Sequence, residues 1–139
     1  MTSREFTLPS SGYLRAVGAH LHDHAVEIRL EDVTTGNVMA RLKTKRKADG
    51  TLVSIDIARF IFKLRGLRLL ANRPYRVTAI YDNPTGAVLP DGAMAFMIGA
   101  FVPDDVNSWP AIDPSDPHFK EDLTVLLNQG AHAHGHGGV

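Results

Sequence analysis

Apolar and polar residues alternate along most of this chain with the two-residue period of extended strands. Over residues 24–30, Val26, Ile28 and Leu30 point one way, and Glu27 and Arg29 point the other. Thr34-Thr35-Gly36-Asn37 follows as a turn, and residues 38–43 read as the return strand of a hairpin. Residues 51–57 alternate again, with Val53, Ile55 and Ile57 on one face. Residues 59–65 set Phe60, Phe62 and Leu64 against Arg59, Lys63 and Arg65. Residues 75–81 set Tyr75, Val77, Ala79 and Tyr81 against Arg76, Thr78 and Ile80. Asp49-Gly50, Asp82 to Gly86 and Pro90-Asp91-Gly92 carry turn chemistry. Residues 93–102 are apolar at both parities, which predicts a central strand covered on two sides.

Many short strands separated by turns predict an all-β fold, a jelly-roll β-sandwich of about eight antiparallel strands. Residues 13–103 form the sandwich in this scheme, preceded by a polar N-terminal extension over 1–12. Residues 104–128 form a Pro- and Asp-rich wrapping segment that ends in a short helix, since Phe119, Leu123, Leu126 and Leu127 fall at helical spacing. Residues 129–139 read as a flexible His-rich tail.

Composition narrows the functional classes. A chain of 139 residues builds one domain with a continuous core. Lys+Arg and Asp+Glu number 15 each, so net charge draws the chain toward neither nucleic acid nor an anionic membrane. No apolar run is long enough for membrane insertion. There is no cysteine, which excludes disulfides, zinc-thiolate sites and thiol catalysis. Met1 to Phe6 lacks the apolar core of a signal peptide, so the expectation is either a cytoplasmic protein or a periplasmic or extracellular one whose leader or upstream domain has been removed. Compartment and oligomeric state are not readable from these residues.

His20, His22 and His24 stand at i, i+2 and i+4. On one continuous strand they share a face with Val26, Ile28 and Leu30, which predicts that the imidazoles look into the core and Asp23 looks away. Inward imidazoles need partners, because unsatisfied buried polar groups are costly. Alternate strand positions lie about 7 Å apart, and two rings can converge from there on an ion about 2 Å from each nitrogen. The competing reading is a set of hydrogen-bonded core histidines; three on one face favour the ion. His24 could also hydrogen-bond behind the other two. Imidazoles alone suit zinc, copper, nickel or iron, and a thioether would select Cu(I). Met39, Met94 and Met97 are available, and Met94 opens the apolar strand after Asp91-Gly92. Any such methionine taken by itself reads as core filler.

Other candidates are weaker. His132, His134 and His136 alternate in the tail and could gather copper or zinc loosely, or simply be solvated. His118 reads as a surface residue at the helix start. Lys43, Lys45, Arg46 and Lys47 form a basic run without an aromatic platform or glycine cradle, the pattern of a solvated hairpin tip. Asp91, Asp104 and Asp105 sit beside turns. No acid–base carboxylate pair, Ser/His/Asp elbow or phosphate-binding glycine loop is present.

Over residues 12–103 the chain resembles the C-terminal catalytic half of the copper type II, ascorbate-dependent monooxygenases, the family of peptidylglycine hydroxylase and dopamine β-hydroxylase. His20-Leu21-His22 is similar to the family's His-X-His pair. Tyr81-Asp82-Asn83 resembles the stretch opening the loop before the methionine, and Asp91-Gly92-Ala93-Met94-Ala95-Phe96-Met97 the segment carrying the sulfur ligand. Alanine flanks Met94 where the family usually has cysteine, which removes a disulfide partner and not a metal ligand. The resemblance implies a jelly roll and a mononuclear copper site of His20, His22 and Met94, with His24 nearby. Its open position would admit dioxygen or another small ligand. The enzymes carry a second domain with an electron-supplying copper, which this sequence does not contain. The texture is closest to single-domain bacterial relatives with Gly-X-His-Leu-His-Asp and Tyr-Asp-Asn-Pro motifs. Three functions follow as expectations: a copper-binding single-domain protein, a hydroxylase needing an external electron donor, or a non-enzymatic interaction module with structural histidines or a bracing zinc.

Overall fold

The alternating segments condense into two antiparallel sheets. A computed structural model describes residues 1–60, 66–84, 86–88 and 93–132. Among these residues there are nine strands: β1 (Thr2–Phe6), β2 (Gly12–Leu21), β3 (Ala25–Asp32), β4 (Asn37–Arg46), β5 (Leu52–Ile55), β6 (Ala58–Arg59), β7 (Leu67–Leu69), β8 (Tyr75–Tyr81) and β9 (Ala95–Pro103). The first sheet has the order β1-β8-β3-β4-β5. In the second, β2 pairs with β9 along one edge and with β6 and β7 along the other. The all-β sandwich expected from the periodicity is the observed class, with nine short strands and one C-terminal helix.

The core lies between the sheets. Ile28 and Leu30 of β3, Leu42 of β4 and Ala79 of β8 face Leu14, Val17 and Leu21 of β2 and Leu69 of β7. Tyr75 is also buried, and its phenol oxygen accepts the Leu70 N–H at 2.7 Å, which satisfies the one polar atom of a large apolar side chain.

One irregularity in β2 decides which residues reach that core. Gly12, Tyr13 and Leu14 oppose Pro103, Val102 and Phe101, but Ala16 opposes Ala100, so Arg15 is an extra residue, a β-bulge. Its carbonyl accepts the Phe60 N–H at 2.8 Å. Past the bulge the parity is reset: Val17, Ala19 and Leu21 pack inward, while Gly18 and His20 face outward.

Several expectations are corrected. The N-terminal extension holds β1, which pairs with β8. In β5 it is Leu52 and Ile55 that touch the core, and Val53 and Ile57 are exposed. The 93–102 segment is β9, bonded only to β2 among the described residues, with Ile98 and Val102 exposed at 57% and 52%. It is an apolar edge strand, not a central one. The alternating piece at 59–65 lies outside the described residues past Phe60.

Pro110–Val139 form a separate unit from Met1–Trp109. Its helix α1 (Pro117–His132) starts where Asp116 accepts the His118 N–H at 2.8 Å, with Pro117 in the first turn. The helix runs through Gln129 to His132, residues read as tail; His134 and His136 lie outside the described residues. No helix among the described residues is long and apolar enough to cross a membrane.

Tyr75→Phe removes the acceptor of the Leu70 N–H and nothing else. It is expected to destabilise the fold by about 1–2 kcal/mol, measured as a lowered urea midpoint at unchanged slope.

Candidate metal centre

The last residues of β2 and the first of β9 build this site. His20 lies directly across from Phe96, and Leu21 across from Ala95. Opposed residues of a ladder share a face, so the imidazole of His20 lies on Phe96, with ring centroids 5.1 Å apart and planes within 15°. The ring of His22 meets His20 edge-on, and the two Nε2 atoms are 3.1 Å apart.

The ladder ends at Leu21 and Ala95, so His22 and Met94 are the first residues beyond it on the two chains. The Tyr81 hydroxyl closes this end: it accepts the His22 N–H at 3.4 Å and donates to the Met94 carbonyl in a very short hydrogen bond. Burial raises the Tyr81 pKa above the usual phenol value, while the bond from His22 lowers it, so the group stays a protonated donor at neutral pH. Met94 itself is 43% exposed. Met39 and Met97 pack against the core, as fillers do.

The inward orientation expected for the histidines is corrected. The chain turns between His22 and Ala25, and passes there from the second sheet to the first. His20 and Ile28 are therefore not on one strand, and the bulge puts His20 on the outer face.

His24, expected in the same cluster, is held apart. It adopts a left-handed backbone at φ 66° within the turn. Its N–H bonds the Gly50 carbonyl at 2.8 Å, and its carbonyl accepts the Asp82 N–H at 2.9 Å. The ring packs on Gly50 so closely that a Cβ there would lie 2.2 Å from Nδ1. Asp23, on the same turn, accepts the Leu52 N–H at 2.7 Å. The turn thus ties β2, β4 and β5 together at the site's edge.

Two features bear on what the pair can hold. Two imidazole nitrogens bound tetrahedrally to one ion at about 2.0 Å stand about 3.3 Å apart, close to the 3.1 Å seen between His20 and His22. The same separation fits an N–H···N hydrogen bond. The His20 pKa is lowered, first by burial and then by the charge of His22, which favours the neutral, metal-binding form. The buried Nδ1 of His22 has no hydrogen-bond partner. Among the described residues, no three His, Cys, Asp or Glu side chains gather as a metal site. A complete centre here would need a ligand of another kind, such as a thioether.

The other candidates are accounted for singly. Arg46 lies 3.9 Å from Asp82, and Arg46, Lys47, Asp49 and Asp82 share a polar pocket, so the basic run is interleaved with acids. Asp104 forms a two-bond ion pair with Arg68 at 2.6 Å, and Asp105 caps a short 3-10 turn at Val106–Ser108. Asp91 and Gly92 lie outside the described residues. Phe96 and Tyr81 were not singled out as site residues. Phe96 could have been found from its two-residue spacing to Met94.

The chain matches no family model, no curated protein and no solved structure.

Two predictions follow from the geometry. Deleting Arg15 would close the bulge, leave Ala16 to Leu21 in register with Ala100 to Ala95 and so keep His20 opposite Phe96, and cost about 0.5–1.5 kcal/mol for the lost bond from the Phe60 N–H to the Arg15 carbonyl. Arg15→Ala keeps the extra residue and should stay within about 0.5 kcal/mol of the parent; urea unfolding of both variants checks this. Second, an unfolded imidazole titrates near 6.5. Since the folded His20 takes up its proton less readily, the unfolded chain binds more protons below that pH. The fold therefore loses stability as pH falls below about 6.5, and this cost is absent above it. An NMR titration of His20 should give a midpoint below 6.5.

Proposed function

We propose that this chain is a single-domain copper-binding protein whose site is His20, His22 and Met94. The observation that carries this reading is the meeting of two Nε2 atoms at 3.1 Å on an outward face, beside the Tyr81 hydroxyl that joins the His22 and Met94 backbones. Two neutral imidazoles and one thioether carry no charge and include a soft sulfur, a donor set that favours Cu(I) over Cu(II). Phe96 braces one ring from behind, and the Tyr81 hydroxyl keeps the His22 and Met94 backbones in step. The resemblance to the copper monooxygenases points to the same three residues. Copper in such a site supplies one-electron chemistry toward dioxygen or another small ligand.

A second reading keeps the histidines structural, and the same distance favours it: His20 and His22 as a hydrogen-bonded pair, or as half of a bracing zinc site in a non-enzymatic interaction module. Metal analysis of protein purified without added metal separates the two. Copper supports the first reading; zinc alone, or no metal together with no copper-induced rise in melting temperature, supports the second.

Met94→Ala is expected to weaken Cu(I) by more than about tenfold, the equivalent of 1.4 kcal/mol, and to affect Cu(II) much less. Competition titration with a Cu(I) chelator measures this. Unchanged Cu(I) affinity would overturn the assignment of Met94. Oxygen uptake with ascorbate and copper tests for turnover with an external electron donor.

A further inference from the structure

The two sheets do not close on each other everywhere. A cavity of about 780 Å³ lies between them and is lined by both edge strands, β1 and β9. Protein interiors are normally packed without voids larger than a water, and this volume is in the range of small-molecule sites. The walls are apolar: Leu14, Val77, Met97 and Phe101 are among them.

The charge at its rim is specific. Arg4 lines the cavity from β1 and stands across from Val77. By strand parity it shares its face with Phe6, which packs against the core, whereas the neighbouring Glu5 pairs with Arg76 on the other face. Arg29, Arg41, Arg46, Arg68, Arg73 and Arg76 each have a carboxylate partner. Arg4, like Arg15 and Arg59, has no ion-pair partner among the described residues, and of these three it is Arg4 that lines the cavity. An inward-turned cation on an edge strand can also serve only to discourage strand pairing, and the test below separates that role.

We propose that this cleft binds an unbranched aliphatic carboxylate, the chain lying between the sheets and the carboxylate meeting the Arg4 guanidinium at the rim. Apolar walls account for the chain, the unmatched cation for the acid group, and the cleft between two extended strands for an elongated shape. The site is independent of the metal reading: no residue that would bind copper lines it.

Calorimetric titration of the full chain with dodecanoate, below the concentration at which it forms micelles, tests this, with dodecan-1-ol as the uncharged probe. Dodecanoate should bind one to one and more tightly than the alcohol. Arg4→Gln should weaken dodecanoate about fivefold, as expected for one charge pair at a solvent-facing rim, and leave the alcohol unchanged. Val77→Phe should weaken both by filling the cavity, and far-UV circular dichroism verifies that each variant is folded. Several results would overturn the proposal. These are no binding of dodecanoate to the folded parent, equal binding of acid and alcohol with Arg4→Gln silent, or a concentration-dependent dimer in sedimentation that excludes both probes. If Val77→Phe fails to fold, Leu8→Phe fills the same cavity from the loop after β1.

Discussion

The ladder between β2 and β9, with its one extra residue at Arg15, is the constraint on which the site depends. A strand has a strict two-residue period, so one inserted residue exchanges its faces from that point on. Upstream of the bulge, Leu14 is a core residue at an even position; downstream, Val17 and Leu21 are core residues at odd positions. The histidines at even positions are thereby delivered to the outside, where a ligand can reach them. The same ladder aligns His20 with Phe96 and ends at Leu21 and Ala95, beside His22 and Met94.

The two outer surfaces of the sandwich differ in kind. On the first sheet, Arg29 forms an ion pair with Glu31 at 3.2 Å, and Thr78 donates a hydrogen bond to Glu31 at 2.6 Å. Arg41 and Glu27 extend this network. Such partly exposed pairs add little stability, but they keep that surface wet. On the second sheet Arg68 stands opposite Tyr13 and pairs with Asp104, while the stretch with His20, Phe96 and Ile98 carries no acid or base except the imidazole.

Much of the fold was legible in the sequence because it rests on local pattern. Tyr75–Tyr81 is a strand over the residues whose alternation announced it, and the hairpin around Gly36 is present. The misreadings share one physical origin. Parity carried across a break is wrong, and neither the bulge at Arg15 nor the turn at His22 to His24 leaves an alternation signal. Arg15-Ala16-Val17 looks like uninterrupted strand, and the left-handed backbone of His24 falls on a residue other than glycine or asparagine, the types that usually announce it. The edge position of β9 was hidden for another reason: whether an apolar strand is flanked on both sides depends on partners distant in sequence. For the site, the His20–His22 spacing was visible, whereas the brace from Tyr81 depends on cross-strand register alone.

The composition of β9 has a practical consequence. Its nine residues, Ala95 to Pro103, contain no charge, and among the described residues its outer edge is bonded to nothing. Edge strands are usually guarded by lysines, inward charges or distortions, and here β1 has Arg4 and Glu5 while β9 has only its terminal proline. In concentrated solution, strand addition by a neighbouring molecule at β9 is the route by which this fold would be drawn into aggregates while the rest of the sandwich is still intact.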